Sequence, residues 1–587
     1  MSQYQSSRNS AARAWWREKI RRPIKRHEWA IIAGLWAIAF ALGVWGIDVR
    51  SAWSGAVPAG WHRIPEAAYR ALHLFTFWSP EMTAADPWQL EVARWIAPAI
   101  AAYTAGKGLT AAFYEQSQRL RACASRDHVI VCGLSDKGHL IARSFLDRGE
   151  RVVIIEQQSD RGVIATPRSE GAIVICGDAS NDGILMSAAV HRARLLIATC
   201  DDDTNAEIVA QARQLLRKKS KLDCLVHISD LDLLDASGEL AQELHEPGRF
   251  SIRFFNLYAM GARALLADHP PFGMLDGTQP ILAVALDATD AFGEHVVREI
   301  AMRWAVRTGP EGGALPILPL DETSQQALSD MVALDPALAR LIEVGPVFEP
   351  PGAPAPTIVY VLDTDPADSA GRAMELRESI PAARIVVRLA RDGGLAHLIR
   401  ARRSADRPPI DVFTVYEQTC SDPDVLLGVR LEDMARALHE FYLAKINPAA
   451  APWDALPETY RDASRRQAEW IVRILADGGF DVSFVQGGEA ERIVFTAYEV
   501  ESLSRVEHLR WCAERLLDGW RYAPVRDNDA KLHPSIVPWE RLSDEVRDYD
   551  RRFIREWPAM LGTPEIGLVI GRRANSALGA ADTTIKP

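Results

Sequence analysis

At 587 residues the chain is too long for a single hydrophobic core, and three or four folded units are expected. With 48% hydrophobic and 25% charged residues it reads as globular throughout, which excludes a largely disordered polymer. A formal net charge of -11 argues against a nucleic-acid partner, which normally meets a basic face. The seven cysteines (Cys123, Cys132, Cys176, Cys200, Cys224, Cys420 and Cys512) include no C-x-x-C pair, so neither a structural zinc site nor a disulfide framework is expected, and reduced cytosolic thiols are.

Residues 1–28 form a basic segment with Arg13, Arg17, Lys19, Arg21, Arg22, Lys25 and Arg26. From Trp29 to Ile47 no charge occurs, and Glu28 and Asp48 bound the run. At ~1.5 Å per residue such a stretch crosses a hydrocarbon core of roughly 30 Å. It is longer than a signal-peptide core of ~7–15 residues, and no A-x-A-like cleavage site follows it. The basic cluster places the N-terminus in the cytoplasm; the expected location is the cell's inner (plasma) membrane, with lipid as a partner and the N- and C-terminal regions cytoplasmic. A second span is expected at about 92–114, where Trp95–Gly106 is apolar, Lys107 interrupts, and Gly108–Tyr114 continues. Arg119, Arg121 and Arg126 follow as inner-face anchors. Lys107 either faces a polar interior or reaches the inner interface. Between the spans, Ile64–Phe77 is helix-like and Trp78-Ser79-Pro80 breaks it. Within a membrane region of 29–126, a helix at 64–77 followed by irregular chain is the layout of a two-helix pore. Thr76, Phe77, Ser79 and Lys107 are then its candidate lining. The T-V-G-Y-G filter of potassium channels is missing, and an amphipathic helix lying on the outer surface is the competing reading.

His128–Gly133 (HVIVCG) is a strand ending in glycine. Leu134-Ser135-Asp136-Lys137-Gly138 opens a helix to Leu146, and Arg151–Ile155 forms a second strand closed by Glu156. Strand, glycine turn, helix, strand, acid is the order of a dinucleotide-binding α/β unit. Ser135 stands where G-x-G-x-x-G has its middle glycine, narrowing the approach to a pyrophosphate while offering a hydroxyl. The helix start at Asp136–Gly138 offers free N–H groups, and Glu156 disfavours a ribose 2′-phosphate. The alternation continues with strands at 172–176, 195–199 and 224–228. The Gly177-Asp178-Ala179 turn, a short helix at 184–190, Asp201-Asp202-Asp203 and a helix at 205–216 lie between them.

Residues 128–228 resemble the RCK (TrkA-N) regulatory domains of potassium channels and transporters, through HVIVCGLSDKG, VVIIE, GDAS (177–180) and ATCDDDTN (198–205). The resemblance implies a nucleotide site at Gly133, Ser135, Gly138, Glu156, Asp178, Ala179, Thr199 and Asp201. It holds NAD(H) or an adenine nucleotide (ATP or ADP) as an effector that is not turned over, so no enzyme activity and no catalytic residue is expected. The domain extends over 127–272, and its helix at 254–268 corresponds to one that crosses to a neighbouring subunit in that family. Residues 278–430 resemble a diverged repeat whose turn, Asp287-Ala288-Thr289-Asp290, puts acids where phosphate would sit; Gly352–Pro356 is a linker within it.

From about 435 to 572 the chain reads as helical and rich in tryptophan. It resembles the ryanodine-receptor repeat (RyR) domain through EHLRW (507–511), Gly519-Trp520, KLHP (531–534) and VPW (537–539). His508, Arg510, Trp511, Trp520 and Lys531 are candidates for an aromatic and basic ligand pocket, beside the alternative that the tryptophans simply pack a core. The tail, 573–587, reads as disordered. The whole is thus expected to be multidomain: two transmembrane helices, tandem Rossmann-like α/β domains and a mainly α C-terminal domain. The expected function is a nucleotide-gated ion channel, a tetramer where it conducts, with a non-conducting tethered sensor acting through the RyR domain as the alternative.

Overall fold

The computed structural model describes residues 28–54, 63–76, 86–158, 161–230, 248–273, 284–349, 356–401, 408–445, 447–456, 458–485 and 493–573, together with 233, 244 and 246. The pore candidates Phe77 and Ser79, the basic segment before Glu28, residues 352–355 of the linker and nearly all of the tail lie outside the described residues. The chain divides into two compact units, residues 1–119 and 120–587.

In the first unit, α1 (Glu28–Ser54), α2 (Arg63–His73, continued by a single 3-10 turn to Thr76) and the start of α3 (Trp88–Ala124) share a core of Ala39, Ile47, Ala71, Leu74, Phe75 and Leu90. Trp36 stacks on Phe75 with ring centroids 4.2 Å apart, and its indole N–H donates to Thr104 Oγ1 at 3.3 Å. Helix α1 runs past its expected end at Ile47, and Arg50 in its last turns pairs with Asp86 at 3.1 Å. Among the described residues one stretch, Ile32–Trp53, is long and apolar enough to cross a membrane. The second expected span, 92–114, lies within α3 but does not reach that measure. Lys107 sits inside it, and Pro98, Tyr103, Gly106 and Gly108 dilute its apolar content.

The second unit holds two six-stranded sheets. The strands of the first are β1 (Val129–Cys132), β2 (Val152–Glu156), β3 (Ile173–Cys176), β4 (Leu195–Ala198), β5 (Leu222–His227) and β6 (Phe250–Phe255). They are parallel throughout, in the order β3-β2-β1-β4-β5-β6. Near-continuous apolar runs such as Val129–Cys132, with every residue buried, are what a sheet covered on both faces requires. The second sheet uses β7 (Val284–Leu286), β8 (Leu315–Pro319), β9 (Ile342–Val344), β10 (Ile358–Val361), β11 (Arg384–Leu389) and β12 (Ile410–Thr414). Its order, β9-β8-β7-β10-β11-β12, repeats that of the first sheet. Both are doubly wound Rossmann-like sheets, with their switch points between β1 and β4 and between β7 and β10.

Strand β6 was not expected: Phe254 and Phe255 belong to it and not to the following helix. Asn256 is the reason, because its side chain accepts from the Ala259 N–H at 2.8 Å and starts α8 (Leu257–Asp268) only at Leu257. Helix α8 packs on α9 (Ala291–Thr308), the first helix of the second sheet, and on α13 (Val415–Cys420), which follows β12. Helix α13 in turn packs on α4 (Asp136–Asp147), the first helix of the first sheet. Each sheet's sixth strand therefore sends a helix onto the other sheet. The crossing that the family resemblance assigns to a neighbouring subunit is made here within one chain.

The C-terminal helices α15 (Val429–Lys445), α16 (Glu458–Asp477), α17 (Ala497–Leu517) and α18 (Asp544–Leu561) do not form a separate bead. One hydrophobic core runs from Leu286, Ile317 and Tyr360 of the second sheet through Ile300 and Ala305 of α9 to Leu438, Ile474, Leu503 and Trp557. Helix α15 also begins before the expected boundary at 435. A half-buried ion network crosses the same junction. Arg263 of α8 meets Glu469 at 2.8 Å, and Arg473 meets Glu469 at 2.7 Å and Glu299 of α9 at 2.5 Å. Burial alone would raise the Glu469 pKa, but the two arginines outweigh it and hold the carboxyl below its ordinary value. The mainly helical region also contains an antiparallel pair absent from the expectation, β13 (Phe480–Phe484) with β16 (Leu568–Arg572).

Candidate functional site

The carboxyl ends of β1 to β4 converge on the first switch point. Gly133, directly after β1, has φ +92°, and its N–H donates to the Ile155 carbonyl at 2.9 Å. A Cβ on Gly138 would fall 2.0 Å from the Gly133 carbonyl oxygen, so this glycine sets how closely α4 approaches the turn. Ser135 is the N-cap of α4 yet makes no capping hydrogen bond, and it is exposed. Its hydroxyl therefore stands at the helix N-terminus, where backbone N–H groups and the helix dipole favour an anion.

Glu156 accepts from the Leu134 N–H at 2.6 Å and from the Gln158 N–H at 2.9 Å. It thus braces the glycine turn as well as marking the end of β2. Asp178 folds the GDAS turn on itself, accepting from the Ser180 N–H at 2.9 Å and from its hydroxyl at 2.8 Å; Ala179 is buried beside it. Thr199 is buried and donates to the Cys132 carbonyl at 2.9 Å, tying β4 to β1. Asp201 caps α7 (Asp202–Gln214), accepting from the Thr204 N–H at 3.0 Å and its hydroxyl at 2.8 Å. Those bonds hold its carboxyl below the ordinary range. The first-domain candidates accordingly lie on the adjoining ends of four neighbouring strands.

Four residues there were not singled out. Asn205 is buried, receives the Cys200 N–H at 2.9 Å and donates to the His227 carbonyl at 2.9 Å, clamping β4 to β5. Asp202 accepts the Ser229 N–H at 3.0 Å. Lys137 is half-buried; burial lowers its pKa against the pull of Cys200, Asp202 and Asp201. Burial, with Lys137 nearby, brings His227 down to about 3, so this imidazole is neutral at physiological pH. Asp202 and Asn205 lay inside the ATCDDDTN run, but only the three-dimensional crossing shows their work. From the second sheet, Arg391 reaches Asp136 at 3.1 Å, across the N-terminus of α4.

At the second switch point the acids fill the corresponding space themselves. Asp287 is buried and accepts from the Leu362 N–H, and burial raises its pKa to about 7. Asp290 caps α9 by accepting from the Gly293 N–H at 2.9 Å. Arg388 closes the turn, 2.6 Å from Asp290 and 2.9 Å from the Leu362 carbonyl, with its guanidinium 4.3 Å over Phe292.

In the C-terminal region the five candidates differ in burial, and His508 stacks on Trp511 with ring centroids 6.1 Å apart. His508 is buried with Nε2 2.9 Å from the Val537 carbonyl, and Arg510 is buried between Glu507 and Glu514, each at 2.8 Å. Neither reaches solvent. Trp511 and Trp520 instead flank His533, at 4.9 and 6.3 Å between ring centroids, and the Arg515 guanidinium lies 5.8 and 5.1 Å from the two indoles. Lys531 pairs with the Asp518 carboxylate at 2.9 Å, and the same carboxylate accepts from the Trp520 indole N–H at 2.9 Å. The last pore candidates are separate again. Thr76 is exposed and donates to the His73 carbonyl at 2.8 Å, and Lys107 is half-buried, 5.7 Å over the Tyr103 ring.

The sequence model of the TrkA-N domain matches residues 129–236, which hold β1 to β5, and that of the RyR domain matches residues 496–563. The chain contains a TrkA-N domain and a RyR domain. A Methanothermus fervidus protein described as uncharacterized is 30% identical over 96 residues, and this chain spans 15% of that relative's length. Among solved structures, the GsuK channel bound to NAD is 12% identical with a TM-score of 0.34, covering 82% of this chain and 90% of its own. GsuK bound to ADP is 14% identical with a TM-score of 0.34, covering 68% and 96%. The NAD(P)-binding domain of an exopolyphosphatase-related protein from Archaeoglobus fulgidus is 17% identical with a TM-score of 0.19, covering 24% and 97%. These structural likenesses are too weak to bear on ligand or mechanism. The glycine turn of the TrkA-N domain is what the sequence match and the geometry have in common.

Proposed function

We propose that this chain is a nucleotide-gated ion channel of the potassium-channel type, in which the TrkA-N domain reads NAD(H) or an adenine nucleotide without turning it over. The observation that carries the reading is the path leaving the Gly177–Ser180 turn. The short helix α6 (Asp182–Ser187) follows that turn directly. The Cys123 thiol, at the end of α3, donates to the Ser187 carbonyl at 3.4 Å, and Arg192 donates to the Cys123 carbonyl at 2.9 Å. A ligand pressing on Asp178 and Ala179 thus bears, through one helix, on the segment that leads back towards the membrane region. Such a ligand shifts the protein only by as much as it binds one arrangement of that segment better than the other.

Exposed Ile38, Trp45 and Trp53 on α1, and Trp95, Leu109 and Phe113 on α3, support contact of the first unit with lipid and with further copies. A pore needs rotational symmetry, and a tetramer is the assembly proposed. The test is cation flux into liposomes containing the full chain, with NAD, NADH, ATP and ADP added singly, beside calorimetric titration of the same nucleotides. Binding accompanied by a change in flux supports the reading. Binding without flux supports the alternative of a tethered, non-conducting sensor, and a turnover-linked change in NADH absorbance would refute sensing without chemistry.

A further inference from the structure

Away from the switch point, at the opposite ends of β2 and β3, a cavity of about 300 Å3 opens beside the end of α3. Its wall comes from three segments: Arg121, Ala124 and Ser125; Glu150, Arg151 and Val152; and Gly171 with Ile173. The charges do not balance. Glu150 is taken up by Arg194, whereas the Arg121 and Arg151 guanidiniums form no ion pair among the described residues. Gly171 leaves the wall bare, with nothing within 4 Å of where its Cβ would stand. The C-terminal carbonyls of α3, which would repel an anion, are partly spoken for. Ser125 donates its hydroxyl to the Arg121 carbonyl at 2.9 Å and its N–H to the Ala122 carbonyl at 2.9 Å, and Arg192 donates to the Cys123 carbonyl.

We propose that this cavity is a second effector site, taking a phosphomonoester between Arg121 on the helix and Arg151 on the sheet. Two guanidiniums from separate elements form the fork that suits a dianionic phosphate. The volume admits a small organic group behind that phosphate. Because the two arginines stand on different segments, a bound phosphate holds the end of α3 against the sheet. The site stands apart from the nucleotide turn and does not depend on it.

Two sources carry this chemistry, a soluble phosphomonoester and the headgroup of an anionic lipid. The full chain in phosphatidylcholine nanodiscs is titrated with glycerol 3-phosphate, and separately placed in nanodiscs containing phosphatidic acid, with the thermal midpoint read in both. The proposal expects a saturable rise in at least one arm: the first alone marks a soluble ligand, the second alone a lipid headgroup, and both the shared phosphate. In the soluble arm, apparent affinity should fall at least tenfold in the Arg121→Gln/Arg151→Gln double variant. It should fall likewise in Ala124→Phe, which fills the cavity without touching a charge. Arg126→Gln, outside the cavity, should leave it unchanged. No rise in either arm, a rise equal in the double variant and in Arg126→Gln, or one abolished by Ser135→Leu at the nucleotide turn would overturn the proposal.

Discussion

Gly138 and Gly133 are in backbone contact: where Gly138 has only a hydrogen, any Cβ would come within 2.0 Å of the Gly133 carbonyl oxygen. The obstacle is main chain, which cannot rotate away. Gly138→Ala must therefore push α4 off the turn, at about 1–3 kcal/mol for overpacking. Gly149, at φ +78° with nothing near its Cβ position, gives the control, because alanine there meets backbone strain of roughly 1–2 kcal/mol but no steric obstacle near the nucleotide turn. Urea melts of the two variants should show losses of similar size, with nucleotide binding abolished in Gly138→Ala alone; binding that survives there would show that the close approach of the two glycines does not shape the site.

Ser135 tests the one departure from the glycine fingerprint. As it makes no capping bond, Ser135→Gly should change stability by only a few tenths of a kcal/mol, about what a cap-to-glycine change costs. If the hydroxymethyl group crowds a pyrophosphate, affinity for NAD or ADP rises on the change; if its hydroxyl holds the phosphate, affinity falls. Calorimetric titration distinguishes the two. No change in affinity would mean that the ligand does not approach this turn.

Much of this arrangement is legible in the residues. Strands that are apolar from end to end, such as Val129–Cys132 and Val152–Ile155, admit few positions other than a covered parallel sheet, and the turn after β1 follows from its glycines. The limits are equally physical. Phe250–Phe255 alternates weakly, and the end of that strand is set by the Asn256 cap, which nearby phenylalanines obscure. That His508 and Arg510 are core residues while Trp511 meets His533 depends on which face of α17 meets its neighbours. Spacing alone leaves that face open. The continuity of the second sheet's core with the C-terminal helices is a long-range fact, carried by pairs such as Arg263–Glu469 and Arg473–Glu299 that lie far apart in the chain.

Asp287 gives stability a pH dependence. Its carboxyl titrates at about 7 in the folded protein, first because it is buried, against an ordinary value near ~3.9 when unfolded. Between those values the folded chain keeps a proton that the unfolded chain has released, so stability falls as pH rises through roughly 4 to 7 and levels off above. Asp550, raised to about 7 by burial and by Glu507, adds a second contribution of the same sign. Asp287→Asn should flatten part of that slope in urea midpoints measured from pH 5 to 8. At pH 8 it should stabilise by about 1–2 kcal/mol after the cost of an unpaired amide hydrogen. An unchanged slope would show that Asp287 is already ionised in the folded protein at pH 5.

The half-buried network across the α8, α9 and α16 junction bears on cooperativity. Arg473→Met leaves Glu299 to Arg303 and Glu469 to Arg263 alone, and should cost about 1–3 kcal/mol. Because the second sheet and the RyR domain share one core, calorimetry should show their loss as a single transition moving to lower temperature. Two separating transitions would mean that the shared core does not bind them into one cooperative unit.

The end of α3 is where sensing and response are proposed to meet, and Ala122 is the residue on which to test it. It is fully buried in the same core as Ala188, Val190 and Ile130, at the contact between α3 and the turn after α6. A larger side chain there must displace one element from the other, at about 1–3 kcal/mol, while the glycine turn and Glu156 stay as they are. Ala122→Leu is thus expected to keep one nucleotide site per chain but to lose the nucleotide-dependent change in liposome flux. Its affinity should shift only by the coupling that has been removed, since coupling between two sites is reciprocal. Should the flux response persist at full amplitude in a folded Ala122→Leu protein, the signal leaves the TrkA-N domain by another route, and the contact of Cys123 with Ser187 is only a packing contact.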